Sequence, residues 1–295
     1  MRPEALGQMR ARSPMEGGSA GSSRRRWFSL EVLRYAALSW GAIVVLLPLL
    51  WMVVTSLKPI SAVFSTTWDP KEAEWANYLR ALRAAPFGRY FANSIFVAGS
   101  VTVTQVLLGA MAGYGFAKFR FRARSQLFLA VLTTMMIPFQ VIMLPLYTMM
   151  RWLGWLDSFQ GLIVPGALTG FGVFVMRQFI STIPDEYVDA ARVDGAGEWR
   201  VFWNVILPLS KNGLVALAIL TFLASWDNLL WPLIVVSRDE LRTIPLGLAL
   251  FESSYFTQYN YQMAVAVMAT IPVLVVYLIL RPHIIRGVIL SGVKG

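Results

Sequence analysis

Six long segments of this chain carry almost no charge, and this feature limits the fold more than any other. They cover residues 35–57, 90–117, 125–150, 158–176, 212–237 and 253–280, and Asp227 is the only charged side chain within them. A helix needs about 20 apolar residues to cross roughly 30 Å of hydrocarbon. Lipid cannot satisfy exposed backbone groups, so each segment is predicted to be helical. One such segment alone could be a buried core helix, but six in succession predict an all-α polytopic membrane protein.

The composition agrees with this class and excludes others. Apolar residues make up 57% of the 295 residues and charged residues only 14%, against about 25% charged residues in soluble domains. The chain has no cysteine, which excludes disulfides, thiolate metal sites and cysteine nucleophiles. The net charge of +10 suits contact with anionic lipid head groups. No soluble basic module is evident, so we expect no nucleic acid as a partner.

The distribution of Lys and Arg predicts the orientation in the membrane. One set of connecting segments holds 18 of these residues and the other set holds eight. Because positive charge favours the cytoplasmic side, both termini are predicted to be cytoplasmic. We expect a disordered basic tail at residues 1–34, a six-span domain at 35–285 with a cytoplasmic loop at 181–211, and a cytoplasmic tail at 286–295.

Small residues and prolines inside the spans suggest how the helices pack and bend. Gly109 and Gly113 form a small-xxx-small pair, which suits close approach of a second helix. Proline frees a backbone carbonyl and bends a helix, and in membranes such breaks can line a cavity. A plain structural kink is the alternative for each of them. The interior prolines are Pro48, Pro138, Pro145, Pro165, Pro232 and Pro272.

The cytoplasmic loop is a charged stretch between two long apolar spans, and its pattern predicts two short helices. Pro184 followed by the acidic Asp185 and Glu186 is typical of a helix start. Gly195 is predicted to end this helix in a left-handed conformation. A second helix follows, in which Trp199, Phe202, Trp203 and Ile206 form an apolar stripe at i, i+3, i+4 and i+7, and Pro208 ends it.

Two interpretations of this loop remain open at this point. An amphipathic helix lying on the membrane surface explains the second helix. It does not explain the small residues Ala190 and Ala191, which would let a partner surface come close, or the glycine between the helices. We therefore predict an L-shaped pair of helices with one apolar stripe against the membrane domain and a free tip.

The spacing within this loop resembles that of a known family. Binding-protein-dependent ABC importer permeases carry Glu-Ala-Ala, three residues, Gly, nine residues, and Ile-x-Leu-Pro. Here the corresponding residues are Asp189-Ala190-Ala191, Gly195 and Val205-Ile206-Leu207-Pro208. Asp189 replaces Glu and is one methylene shorter, so either its contact with the partner is weaker or Glu186 shares the role. Val205 replaces Ile.

The resemblance continues along most of the chain. The stretches "LKP", "SWDNLLWPLIVV", "TIPLGLALF" and "MAVAVMATIPVLVVYLILRPHIIRGVILSGVKG" are similar to the carbohydrate-importer permeases of the maltose-permease G-type branch. The resemblance implies the type I ABC importer permease fold with six spans. It also implies a second homologous permease subunit, two cytoplasmic ATPase subunits that bind ATP and Mg, and an extracytoplasmic solute-binding protein.

The same resemblance implies which residues transmit motion from the ATPase. The cytoplasmic loop would be a coupling helix seated in a groove on the ATPase. The chain itself has no G-x-x-x-x-G-K-[ST] phosphate loop, so it should not hydrolyse ATP and needs no cofactor of its own. The predicted coupling residues are Glu186, Asp189, Ala190, Ala191, Asp194, Gly195, Leu207 and Pro208.

A second set of residues is predicted to line the substrate path. An ionised side chain within a span costs at least about 2.5 kcal/mol, so Asp227 should face a cavity, water or a partner. Asp227 and Asn228 could accept hydrogen bonds from sugar hydroxyls, with Trp226 as a stacking surface. Alternatively, Asp227 ties spans or subunits together. Gln140 in the third span completes this set.

Other functional classes have less support. An ion-coupled secondary transporter needs several buried ionisable groups, and the spans contain a single aspartate. An intramembrane enzyme needs a nucleophile with a base or a metal set, and neither pattern is present. The solute class stays open between a sugar or oligosaccharide and a glycerol-phosphate compound. The lack of Lys and Arg in the spans favours a neutral sugar.

Overall fold

A computed structural model describes residues 20–67, 69–254 and 258–291, with side chains at 31–67, 69–250 and 258–280. Every regular element in these ranges is helical, which confirms the all-α prediction. Residues up to Trp51, which include most of the first helix, form one unit, and residues from Met52 onward form the other. The α-helices are α1 Ala20–Leu57, α2 Ala76–Ala84, α3 Phe87–Lys118, α4 Arg124–Thr134, α5 Phe139–Trp152, α6 Phe159–Ile163, α7 Gly170–Ser181, α8 Asp185–Val193, α9 Glu198–Val201, α10 Leu207–Leu209, α11 Lys211–Trp226, α12 Leu230–Val235, α13 Ile244–Ser254 and α14 Tyr259–Ser291.

Three helices cross the membrane as single spans by length and composition, and three spans are bent. The single spans are Glu31–Leu57, Phe87–Lys118 and Tyr259–Leu280. Three bent pairs of helices correspond to the third predicted span, to the fourth, and to the junction of the cytoplasmic loop with the fifth. Their helices meet at 96° (α4 and α5), 42° (α6 with its 3₁₀ extension, and α7) and 78° (Glu198–Leu209 and α11). Six spans result if each bent pair crosses once.

Several predicted boundaries differ from the observed ones. Helix α1 begins at Ala20, inside the tail predicted to be disordered up to residue 34, and residues 1–19 lie outside the described range. The fifth predicted span, residues 212–237, ends as a helix at Trp226 and resumes in the short α12. Helix α14 starts at Tyr259 and not at residue 253, the predicted start of the sixth span, and the separate helix α13 ends at Ser254. Hydropathy averages over such breaks, so it does not detect them.

The small-residue pair of α3 lies against α7 and α11. A Cβ added at Gly109 would lie 3.2 Å from the backbone of Gly172, and one added at Gly113 would lie 2.7 Å from the Cβ of Met176. The prediction of close helix approach at this pair is therefore confirmed. The contact fixes α7 against α3, and α7 leads directly into the cytoplasmic loop.

Candidate functional site

The cytoplasmic loop forms two helical pieces joined at a glycine, as predicted. We call residues 182–208 the coupling segment. Helix α8 begins after Pro184 with Asp185 and Glu186 in its first turn. Gly195 has φ +79°, a conformation that costs other residues about 1–2 kcal/mol. The segment from Glu198 to Leu209 is a second helical piece, which ends one residue beyond Pro208.

The corner of the coupling segment is closed by a charged pair across the glycine turn. The Arg192 Nε donates to the Glu198 carboxylate at 2.9 Å, so the end of α8 is tied to the start of α9. The same carboxylate accepts a hydrogen bond from the Tyr114 hydroxyl of α3 at 2.6 Å. Charge-assisted hydrogen bonds are stronger than neutral ones. They connect the two helical pieces and attach them to a membrane-spanning helix.

A second attachment lies at the start of α8. The Lys118 ammonium at the end of α3 donates to the Asp185 carboxylate and to the Ile183 carbonyl. The Lys118 hydrogen bond is the main cause that lowers the pKa of the Asp185 carboxyl below its usual value of 3.8. Beneath these polar contacts, Val188 and Ile183 are buried in the cluster that also contains Tyr114 and Ile180. The coupling segment is therefore attached to both α3 and α7.

The predicted apolar stripe is only half correct. Phe202 and Ile206 are buried as expected, but Trp199 and Trp203 are 65% and 51% exposed. Trp203 lies within Phe202–Ile206, a π-helical turn, which widens the helix and changes which residues share a face. A 3.6-residue period does not predict a π-turn. Val201, which the predicted stripe did not include, is buried in the core instead of the two tryptophans.

Most of the predicted coupling residues lie on the free surface of the segment. Exposed residues are Glu186, Asp189, Ala190, Asp194, Gly195 and Pro208. Ala191 and Leu207 instead pack, half-buried, against the core cluster, so they support the segment from within. The sequence analysis missed Val193, an apolar side chain that is 88% exposed beside the glycine turn, although a lone valine among charged residues was a visible signal.

A cavity of about 290 Å³ lies where the helix breaks converge. Pro165, Gly166 and Thr169 line it from the break of the fourth span, and Phe139 lines it from the start of α5. Asn228 and Trp231 line it from beyond the end of α11. The expectation that breaks at prolines line a cavity is thus met at Pro165. The remaining lining residues are Val101, Gln105, Leu162, Phe171, Leu220, Thr221, Ala224 and Ser225.

One side of this cavity is held by a reciprocal hydrogen-bonded pair. The Gln105 Nε2 donates to the Thr169 hydroxyl at 2.6 Å, and the Thr169 backbone N–H donates to the Gln105 Oε1 at 2.9 Å. Gln105 is buried on α3, and Thr169 caps the start of α7. Sequence reasoning missed this pair, although Gln105 is an isolated amide in an uncharged span.

Of the four predicted substrate-path residues, Asn228 alone lines this cavity. Asn228 lines the cavity, and its Oδ1 accepts from the Trp231 backbone N–H at 3.2 Å. Trp226 is buried and stacks on Phe222, so its ring is not free for a ligand. Asp227 ends α11 and is exposed, and Gln140 is exposed on α5. Neither of these two side chains lines the cavity.

A family profile settles the class of the chain. The profile described as "Binding-protein-dependent transport system inner membrane component" matches residues 105–288. The chain belongs to this family. It is a permease subunit of an inner membrane, and the family and location predicted from the sequence are confirmed.

Individual relatives of this family cover nearly all of the chain. An arabinooligosaccharides transport system permease protein of Bacillus subtilis is 34% identical over 255 residues, which is 85% of this chain and 91% of the relative. An sn-glycerol-3-phosphate transport system permease protein of Yersinia pestis is 33% identical over 88% of this chain and 96% of its own length. A lactose transport system permease protein of Rhizobium radiobacter is 30% identical over 90% and 96%.

The fold has solved counterparts among ABC importers. One chain of a bacterial ABC transporter involved in the import of the acidic polysaccharide alginate superposes with a TM-score of 0.77, over 92% of this chain and 99% of that one, at 24% sequence identity. At this identity the likeness shows the fold alone. The importer permease fold predicted from the sequence is confirmed.

Proposed function

We propose that this permease subunit imports a neutral sugar or oligosaccharide, which an extracytoplasmic binding protein delivers. The supporting observation is the lining of the cavity: amide and hydroxyl groups beside aromatic rings, with no charged side chain among its described residues. Sugars present hydroxyls to amides and apolar ring faces to aromatic side chains. Two of the relatives described above carry names that refer to sugars.

Import of a glycerol-phosphate compound is the second candidate, because one relative of comparable identity carries that name. A phosphate in a cavity would call for a cation or a set of backbone N–H donors. No Lys or Arg lines the described cavity, so we place this candidate second.

The solute class can be tested with the cognate binding protein and the reconstituted complex. We expect the binding protein to retain neutral sugars, and the complex in proteoliposomes to import the retained sugar when ATP is supplied. Retention of a glycerol-phosphate compound with no sugar would contradict the proposed substrate and leave the permease assignment intact.

Two variants test the cavity itself. Asn228→Leu should lower uptake because it removes an amide from the cavity, whereas Asp227→Asn, a change at an exposed residue, should leave uptake unchanged.

The coupling segment is the proposed contact surface for a partner ATPase, which would bind ATP and Mg. The free surface of α8 combines acidic side chains with the small Ala190 and the exposed Val193, so it offers charge and close approach together. A ligand shifts a conformational equilibrium only by binding its states differently. The double attachment of the segment to α3 supplies the route by which such a difference reaches the cavity.

The absence of cysteine in the sequence allows a direct test of this contact. Val193→Cys should form a thiol-specific crosslink to an ATPase subunit carrying a single engineered cysteine in its groove. Trp152→Cys is a matched control, since Trp152 is 84% exposed at the end of α5. Crosslinking that is equal for both variants, or absent for Val193→Cys, would argue against contact between the coupling segment and the ATPase.

A further inference from the structure

Two arginines converge on one carbonyl at the cytoplasmic end of α3. The Arg124 Nε donates to the Phe116 carbonyl at 2.8 Å, and its Nη2 donates to the Ala117 carbonyl at 3.0 Å. The Arg177 Nε donates to the same Phe116 carbonyl at 3.4 Å, and its guanidinium lies 3.8 Å from the centre of the Phe128 ring. Both arginines are half-buried. This arginine pair therefore joins α3, α4 and α7.

The charge of the arginine pair is not balanced by a carboxylate in the described part of the chain. The ion pairs there involve Arg80, Lys118, Arg192 and Arg242. The charge that acts on Arg177 is that of Arg124, which repels it. Partial burial raises the cost of two like charges, so the pair is suited to hold an anion.

The surroundings of the arginine pair resemble a membrane interface more than a pocket for a soluble ion. The span of α3 ends at Lys118 and α4 begins at Arg124, on the side where Lys and Arg are concentrated. Phe121 on the connecting turn and Leu127 on α4 are exposed apolar side chains next to the pair, and Phe121 contacts Phe116 through its ring. A phosphate with an attached acyl chain matches both the charge and the apolar surface.

We propose that Arg124 and Arg177 bind the phosphate group of an anionic phospholipid from the cytoplasmic leaflet. The inference rests on the orientation of the permease in the membrane and is independent of the proposed solute. Helix α7, which carries Arg177, ends at Ser181, and the coupling segment begins with the next residue. A lipid held there would stabilise the base of the segment that moves during transport.

The proposal is tested on the complete transporter complex in nanodiscs of phosphatidylglycerol and phosphatidylcholine with identical acyl chains. Native mass spectrometry should find phosphatidylglycerol retained preferentially by the wild-type complex. A basic side chain in direct contact with the lipid head group is expected to contribute about 1 kcal/mol to the preference, which is about fivefold. We expect Arg177→Gln to lower the preference about fivefold, and Arg124→Gln with Arg177→Gln about thirtyfold. Arg177→Lys should restore most of the preference.

The matched control is Lys211→Gln, which removes an exposed cation at the start of α11 on the same side of the membrane and should keep the preference. Equal retention of both lipids by the wild type, or an unchanged preference in the double variant of an assembled complex, would overturn the proposal. Displacement of phosphatidylglycerol by inorganic phosphate alone would overturn the lipid assignment in favour of a soluble anion. Disassembly of the subunits with lipid preference unchanged would reassign the pair to a subunit contact.

Discussion

Gly195 is the residue on which the shape of the coupling segment depends. Its φ of +79° lies in the left-handed region, and a Cβ there would meet nothing within 4 Å. The constraint is therefore on the backbone and not on space. Gly197, two residues later, also has open space around it but an ordinary extended backbone, with φ −70°.

This difference gives a matched pair of variants. Gly195→Val should leave the complex assembled but uncouple ATP hydrolysis from uptake, because a β-branched residue disfavours the left-handed turn by about 1–2 kcal/mol or more. Gly197→Val should behave as wild type. The measurement is uptake per ATP hydrolysed in proteoliposomes, and a normal ratio for Gly195→Val would refute the role assigned to the turn.

Asp185 provides a pH test of the second attachment. Its carboxyl has a lowered pKa because Lys118 donates a hydrogen bond to it. A lowered folded-state pKa gives stability that is present above the unfolded pKa of about 3.9 and is lost as the pH falls through the folded value. The difference in melting temperature between wild type and Asp185→Asn should stay constant from about pH 8 to about pH 5, and shrink only in stronger acid. A difference that changes near neutral pH would implicate another group.

At the scale of elements, the close contact between α3 and α7 positions the coupling segment, because the segment follows α7 in the chain. It depends on Gly113, where an added Cβ would also lie 2.8 Å from the Arg177 backbone nitrogen. Gly115 lies half a turn away on the same helix and has no neighbour within 4 Å of an added Cβ. The two glycines differ only in what faces them.

Gly113→Leu should separate α3 from α7 and reduce the yield of assembled complex severely. Gly115→Leu should have little effect, since its side chain meets open space. The amount of complex recovered in mild detergent, together with its melting temperature, measures both. Similar recovery of the two variants would show that this helix contact is not as close as described.

The break in the fourth span depends on the Gln105–Thr169 pair. Gln105→Leu removes two hydrogen bonds and leaves the Thr169 backbone N–H unpaired, which costs about 1–3 kcal/mol for a buried donor. Thr104→Val is the control, because the Thr104 hydroxyl donates only to carbonyls of its own helix, at Ser100 and Val101. We expect lower thermal stability for Gln105→Leu alone, and equal melting temperatures would contradict the structural role of the pair.

At the scale of the whole molecule, the chain is the membrane subunit of a transporter in which ATP is hydrolysed by partner subunits. Its family is binding-protein-dependent, and its predicted spans hold the single charged residue Asp227, which is exposed at the end of α11. A proton relay through the described spans would need several buried ionisable groups. Transport should therefore follow ATP and not the proton gradient.

Uptake measured in cells or proteoliposomes tests this expectation. Collapse of the proton gradient with an ionophore should leave uptake unchanged while ATP is maintained, and ATP depletion should abolish it. The binding protein must be present in both arms, because it delivers the solute. Loss of uptake on ionophore treatment with ATP intact would favour the ion-coupled alternative.

The sequence by itself determined the membrane class, the six spans and the position of the coupling segment. Partition into lipid depends on the summed hydropathy of about 20 consecutive residues, which needs no knowledge of tertiary contacts. The turn at Gly195 could also be predicted from the sequence, because a left-handed glycine between two helices depends only on the residues close to it in the chain.

Only the tertiary structure decided the bends of the three helix pairs, the π-turn that contains Trp203, and the cavity. Each depends on groups far apart in the chain, such as Gln105 with Thr169 and Tyr114 with Glu198. The same applies to Asp227, Trp226 and Gln140, which were predicted to share a site with Asn228 and do not line its cavity. Periodicity reports which residues are apolar, whereas the face that a residue presents also depends on what the rest of the fold packs against it.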